Sequence, residues 1–168
     1  MSSSENRVGI AIVKGDVNEL ITKLNQAYAD EWMAYYQYWL CAKLVEGPIR
    51  VQVIAELEEH AKQEHQHATL LADRIIQLGG IPLLTPMAWE QTKGCGYDAT
   101  KNAYVQAVLE ENIKGEQCAI RYYNELLVYL EDKDPVTYDM ILHILADEVE
   151  HEEDLTKLLH DLTSIKGV

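Results

Sequence analysis

Glu148 and His151 stand three residues apart in the stretch Ile141 to Leu159, ILHILADEVEHEEDLTKLL. The apolar residues Ile141, Ile144, Leu145, Leu155, Leu158 and Leu159 recur at steps of three and four, which marks one face of an α-helix. The Glu/His pair interrupts that stripe where Leu or Ile belongs. A carboxylate buried there without a partner is strongly unfavourable, so something must neutralise it. A helix i, i+3 pair of this kind offers one oxygen and one nitrogen donor to the same point, which is how a metal ion is gripped between helices.

The chain supplies the other ligands such a site needs. Glu64 and His67 form a second Glu-x-x-His, centred on the stripe Ile54, Leu57, Ala61, Ala68, Leu71, Ile75 and Leu78. A lone glutamate, Glu31, breaks the face made by Leu20, Leu24, Ala27, Ala34 with Tyr35, Tyr38 and Ala42. Further on there are three candidates, Glu110, Glu111 and Glu116. The series Leu109, Ile113, Glu116, Ile120, Tyr123, Leu127 and Leu130 selects Glu116, whereas Glu111 shares a weaker face with Tyr104, Gly115 and Cys118. Glu31 to Glu64 is 33 residues and Glu116 to Glu148 is 32, so two helical hairpins carry their carboxylates at nearly the same depth, as halves of a pseudo-repeat.

The expected site is therefore Glu31, Glu64, His67, Glu116, Glu148 and His151. Four buried carboxylates repel one another, and two divalent ions cancel their charge while the imidazoles complete the coordination. Carboxylate with one imidazole per metal suits iron or manganese more than copper. By position, Glu64 and Glu148 are expected to bridge, with Glu31 and His67 at one metal and Glu116 and His151 at the other.

The elements that must hold these residues read as all-α. The 168 residues are 48% hydrophobic with four Pro and nine Gly, which fits a helical globular class. Residues 1–16 form a polar tail with a short apolar patch, and 17–165 a single helical domain. Asp16 is the expected N-cap of a first helix from Val17 to about Val45, before Glu46-Gly47-Pro48. A second runs from about Ile49 to Leu78 and stops at Gly79-Gly80, with Pro82 beyond. Residues 79 to about 98 hold Pro82, Pro86, Gly94 and Gly96 without a helical period. This connection is long enough to return the chain to the opposite end, so that the third helix runs parallel to the second. Asp98 is the expected cap of that helix, Ala99 to about Glu131, and the fourth begins near Pro135 after Asp134.

The net charge of −14, from 28 acidic and 14 basic residues, repels nucleic acid and anionic membranes and attracts cations. No run of eighteen apolar residues and no basic-then-apolar N-terminus is present, so neither a membrane span nor a secretory signal is expected. Three scattered cysteines do not make a secreted framework, and a cytoplasmic location is the expectation.

Several motifs carry a resemblance. Asp30-Glu-Trp-Met-Ala-Tyr-Tyr-Gln-Tyr38 resembles the first-helix motif of bacterioferritins. Glu64-His-Gln-His-Ala68 with Arg74-Ile-Ile-Gln-Leu-Gly-Gly-Ile-Pro82 resembles their second. Glu116-Gln-Cys-Ala-Ile-Arg121, and Cys95 lying 23 residues before Cys118, are similar to the Dps-like thioferritin group. The likeness spans roughly residues 17 to 160 of the ferritin-like di-iron superfamily.

It implies a four-helix bundle with a long crossover between helices 2 and 3. It also implies ferroxidase activity: Fe(II) oxidised with hydrogen peroxide or O₂, ferric mineral stored in a hollow homo-oligomeric cage, and protection against oxidative stress. A chain ending at Val168 leaves no room for the fifth helix of 24-subunit ferritins, which favours a dodecamer. Position 65 is His where bacterioferritins place their haem-ligating Met, so His65 is only a candidate haem ligand. The long basic tail of DNA-binding Dps proteins is absent. Tyr38 matches the family position of a redox tyrosine and joins the catalytic set. A Cys95–Cys118 disulfide beside the centre is implied by the likeness alone.

For the remaining residues a structural role competes with a chemical one. Tyr35, Tyr38 and Tyr123 lie one or two turns from ligands, as core aromatics or as electron relays. His60 reads as core filling or as the partner of a ligand rather than a ligand itself. His143 and His160 read as ordinary helix residues, Glu56, Glu58 and Glu59 as a solvated face, and Cys41 as packing. Two rival functions keep the fold: a rubrerythrin-like or manganese-catalase-like enzyme that decomposes peroxide without storage, and a metal-free helical scaffold.

Overall fold

In the computed structural model, which describes residues 7–96 and 101–166 (the side chains of the last two excepted), six helices follow one another. They are α1 (Val8–Ala11), α2 (Val17–Leu44), α3 (Arg50–Gln77), α4 (Pro86–Thr92), α5 (Val105–Leu130) and α6 (Pro135–Lys166). No strand occurs among the described residues. The four long helices form a four-helix bundle in which α2 packs on α3, α5 on α6, and the pairs meet through α2 with α5 and α3 with α6.

The helix ends follow from local chemistry. The Asp16 carboxylate accepts from the amides of Asn18 (2.8 Å) and Glu19 (3.3 Å) and so satisfies two of the orphan donors of α2. At the end of α3, Gly79 takes φ 89°. The Gly79 amide then donates to Ile76 (3.0 Å) and that of Gly80 to Ile75 (2.9 Å), a Schellman stop that suits glycine. The Asp134 side chain accepts from the amides of Val136 and Thr137 at the start of α6.

Two stretches depart from the sequence reading. The crossover contains a helix, α4, where no helical period was expected. Thr85 caps it by accepting from the Ala88 amide, Pro86 sits in its first turn, and the Trp89 indole stacks on Trp32 of α2 at 4.9 Å. A helix this short shows no stripe; the contacts of Trp89 with Trp32 and Tyr28 of α2 hold it.

The third long helix begins at Val105, not Ala99. Residues 101–104 are non-helical because the chain pairs with the α2–α3 turn. Glu46 donates to Ala103 (2.8 Å) and accepts from Val105 (2.9 Å). Gly47, at φ 115°, leaves the Tyr104 ring room where a Cβ would approach to 3.0 Å. The proposed cap Asp98 lies outside the described residues.

The Glu46–Tyr104 pairing places the start of α5 beside the start of α3. The crossover has thus traversed the bundle and α5 runs parallel to α3. At the other end, the Lys14 amide donates to Lys133 in the α5–α6 turn (2.9 Å).

The interior divides into two apolar blocks. One is built around Leu24, Leu71, Ile75, Leu127, Ile141 and Ile144. The other is built around Leu57, Val105, Val108, Leu109, Leu155 and Leu162. Between these blocks fall Glu31 on α2, Glu64 and His67 on α3, Glu116 on α5, and Glu148 and His151 on α6.

Candidate metal centre

The layer between the two blocks is where the six expected residues converge. Glu31 comes from α2, Glu64 and His67 from α3, Glu116 from α5, and Glu148 and His151 from α6, and none is more than 3% exposed. Glu116 is the buried one of the three candidate glutamates on α5, with Glu111 half-buried and Glu110 exposed.

Two overlapping donor groups result. Glu31, Glu64, His67 and Glu148 form one, and Glu64, Glu116, Glu148 and His151 the other, each with donor atoms within 4.8 Å of one another. Glu64 and Glu148 belong to both. His67 Nδ1 lies 3.5 Å from Glu64 Oε2 and 3.2 Å from Glu148 Oε1. His151 Nδ1 lies 3.2 Å from Glu64 Oε1 and 3.3 Å from Glu148 Oε2. Each central carboxylate thus gives one oxygen to either half. Glu31 Oε2 completes the first half, 3.3 Å from His67, and Glu116 Oε2 the second, 3.9 Å from His151.

The imidazoles are turned for this. His67 Nε2 meets Asp147 Oδ2 at 3.1 Å, and His151 Nε2 meets Gln63 Oε1 at 3.0 Å. With Nε2–H donating to those acceptors, both Nδ1 atoms face inward with their lone pairs open to a metal. Glu31 Oε2, Glu64 Oε1, Glu148 Oε1 and both Nδ1 atoms are buried without a hydrogen-bond partner among the described residues. Buried polar atoms left unpaired in this way are costly. Their convergence fits a pair of metal ions.

Without that pair, protons carry the compensation. Burial, then the charges of Glu64 and Glu148, pushes the Glu31 carboxyl well above the usual range. Burial with Glu148 and Glu64 does the same to Glu116. For His151, burial disfavours the imidazolium but Glu148 and Glu64 outweigh it and hold it up at about 10. His67 is raised likewise, burial being outweighed by Glu148, Glu31 and Glu64.

Two phenols cap the layer crosswise. Tyr38 donates to Glu116 and Tyr123 to Glu31. Burial and the adjacent carboxylates raise both hydroxyls well above their ordinary value, so both remain donors.

Tyr35 lies elsewhere, against Trp32 and His65. His65 itself is exposed, its ring 5.4 Å from that of Trp32, and it takes no part in the six-residue cluster. Cys95 and Cys118 form a disulfide with Cα atoms 5.8 Å apart, tying the crossover to α5. Cys41 is buried and receives the Asn112 amide at 3.8 Å.

A cavity of about 50 Å³ adjoins the carboxylates, reaching from Glu31, Glu64, Glu116 and Glu148 to Cys95 and Gly96. Asp30 lines it and accepts from the amides of Gly94 and Cys95. Burial raises the Asp30 carboxyl to about 6 despite those two amides.

Sequence reasoning missed Gln63 and Asp147, the acceptors that orient the imidazoles. Each directly precedes a glutamate of the cluster, and that adjacency was the only available signal. It also took Glu56 for a solvated side chain, whereas Glu56 is half-buried against His60.

Comparison with known proteins agrees with this architecture. The family model described as a ferritin-like domain matches residues 21–165. The chain is 31% identical over 151 residues to a DNA protection during starvation protein of Pyrococcus furiosus, covering 86% of this chain and 78% of that one. It is 30% identical over 151 residues to a bacterioferritin of Brucella melitensis, covering 88% and 86%. Among solved structures, a dodecameric thioferritin, the bacterioferritin-related protein of Bacteroides fragilis, superposes with a TM-score of 0.92 at 44% identity, covering 94% and 95%. Among the described residues no helix is long and apolar enough to cross a membrane.

Proposed function

This chain belongs to the ferritin-like family, and from that premise we propose that it is a Dps-like ferroxidase that stores iron. Its substrates are Fe(II) and hydrogen peroxide or O₂. The observation that carries the reading is the division of the Glu64 and Glu148 oxygens between the two imidazoles. Glu31 and His67 would hold one iron, Glu116 and His151 the other, and Glu64 and Glu148 would bridge them; manganese fits the same donors. Bound there, two ferrous ions supply one electron each to a single peroxide, which takes up two protons and leaves as two waters.

The chain's own contribution is positional. Asp147 and Gln63 hold the imidazoles in one tautomer. Tyr38 and Tyr123 orient the two outer glutamates. The adjoining cavity, about 50 Å³, has room for a molecule the size of peroxide or dioxygen.

Stopped-flow mixing of anaerobic Fe(II)-loaded protein with peroxide tests the site. Glu64→Ala and Glu148→Ala are expected to abolish the fast phase, beyond the roughly 10–100-fold cost of losing a partner outside the ligand shell. Unchanged rates in both variants would refute the assignment.

Storage is tested by native mass spectrometry and electron microscopy after aerobic iron loading. The likeness to a dodecameric thioferritin leads us to expect twelve copies of the 19.1 kDa chain around an electron-dense core. A small oligomer that destroys peroxide without accumulating iron would instead place the chain with rubrerythrins or manganese catalases.

A further inference from the structure

Beside the six-residue centre lies a separate group on α3 and α6, two of the four helices that supply that centre. Glu56 and His60 of α3 and Asp154 of α6 each offer a donor atom within 4.8 Å of the others. The three differ in exposure. The Glu56 and Asp154 side chains are 33% and 32% exposed, open enough for an ion to reach, whereas His60 is 2% exposed.

His60 Nε2 stands 3.2 Å from Glu56 Oε1, while its buried Nδ1 has no hydrogen-bond partner among the described residues. One oxygen of Asp154 is engaged by Lys157 at 3.2 Å. Lys157 is 61% exposed, and an exposed pair of this kind contributes little and yields readily. The His60 ring lies flat on that of His151, centroids 4.0 Å apart and planes at 23°. The group therefore abuts the dinuclear layer on the side away from Glu31 and shares no residue with it.

We propose that Glu56, His60 and Asp154 form a third cation site, taking a single divalent transition-metal ion on the α3–α6 face. Two carboxylates and one imidazole are a hard-to-borderline donor set, the same chemistry that suits the neighbouring centre. An ion held there has a stopping place between solvent and the buried pair, with the stacked His60 and His151 rings as the partition. The site goes beyond the ferroxidase reading and does not depend on it.

Zinc, which is redox-inert, serves as the probe on the intact assembly. Equilibrium dialysis followed by elemental analysis is expected to show that Glu56→Gln/Asp154→Asn binds one zinc ion fewer per chain than the native protein. His60→Ala is expected to lose the same ion. Anomalous diffraction at the zinc edge should place a peak between Glu56, His60 and Asp154 in native crystals and none there in the double variant.

Both carboxylates are half-buried, and matching thermal melts will show that the double variant is folded. Equal zinc content in native and double-variant protein, or native crystals without that peak, overturns the proposal. Glu64→Ala/Glu148→Ala separates the two readings: that variant is expected to lose the paired ions and keep the third peak. A native protein lacking the paired peaks but showing the third would reject the ferroxidase centre and leave this site standing.

Discussion

Tyr38 and Tyr123 each stand seven residues after a glutamate on their own helix, Glu31 and Glu116, and each donates to the glutamate of the other. The pseudo-repeat read from the 33- and 32-residue spacings therefore extends to the phenols. Geometry gives them equal duty as positioning residues, while only Tyr38 matches a redox position by resemblance. The Phe variants separate the two roles. If both phenols act by holding a carboxylate, Tyr38→Phe and Tyr123→Phe should each weaken metal binding by about 10–100-fold. Both should then oxidise Fe(II) normally once metal is saturating. An electron relay through Tyr38 predicts instead that Tyr38→Phe alone stays slow at saturation and loses the tyrosyl radical signal in freeze-quench electron paramagnetic resonance. At this scale the sequence was informative wherever a charge broke an apolar stripe, because a misplaced Glu or His stands out against Leu and Ile. Gln63 and Asp147 were illegible for the opposite reason: they sit at the polar edge of their helices, where any hydrophilic residue would look ordinary.

The helices announced themselves through capping chemistry as much as through periodicity. Asp16 and Gly79-Gly80 end their helices as their residue types dictate. Asp134-Pro135 marked the start of α6 from local sequence, but its full role needed the fold. Arg74, on α3, reaches across to donate to Asp134 Oδ2 at 2.6 Å and to Thr137 Oγ1 at 2.7 Å. A contact between residues 60 apart has no local signature. The same is true of α4, whose one stacking contact depends on Trp32 being presented by α2. The Asp134 side chain is fully buried, so removing its charge leaves the guanidinium without its counter-charge, with only Thr137 and Gln77 still accepting from it, at a cost of up to about 3–5 kcal/mol. Burial would raise this carboxyl, but Thr137 and Arg74 hold it below its usual value. A carboxylate depressed in the folded state contributes stability above its unfolded pKa, about 3.9, and loses it as pH falls through the folded value. Asp134→Asn should therefore melt lower at neutral pH, and its melting temperature should fall less steeply than the native one below about pH 4. Thermal melts of metal-free protein across that range measure both, and parallel pH profiles would remove Asp134 from the account.

For the molecule as a whole, the buried acidic layer sets the terms of stability. Two apolar blocks flank a band holding Glu31, Glu64, Glu116 and Glu148, in a chain of net charge −14. Metal-free, that band is compensated by protons: Glu31 and Glu116 are raised by burial and by their neighbours' charges, and His151 is held up at about 10 by Glu148 and Glu64. Bound ions replace those protons, so loading must release them and must tighten as pH rises. Binding to the folded form alone stabilises by about 2.7 kcal/mol at a hundredfold excess over the dissociation constant. At about 2–4 °C per kcal/mol for a chain of this size, a single ion then lifts the melting point by roughly 5–10 °C, and a pair by more. Scanning calorimetry of chelator-treated protein, with and without Mn(II), should show that rise at pH 8 and a markedly smaller one at pH 5.5. Protonated imidazoles and carboxyls compete for the same donors at the lower pH. A melting point indifferent to metal at both values would mean that the four glutamates are neutralised by protons alone.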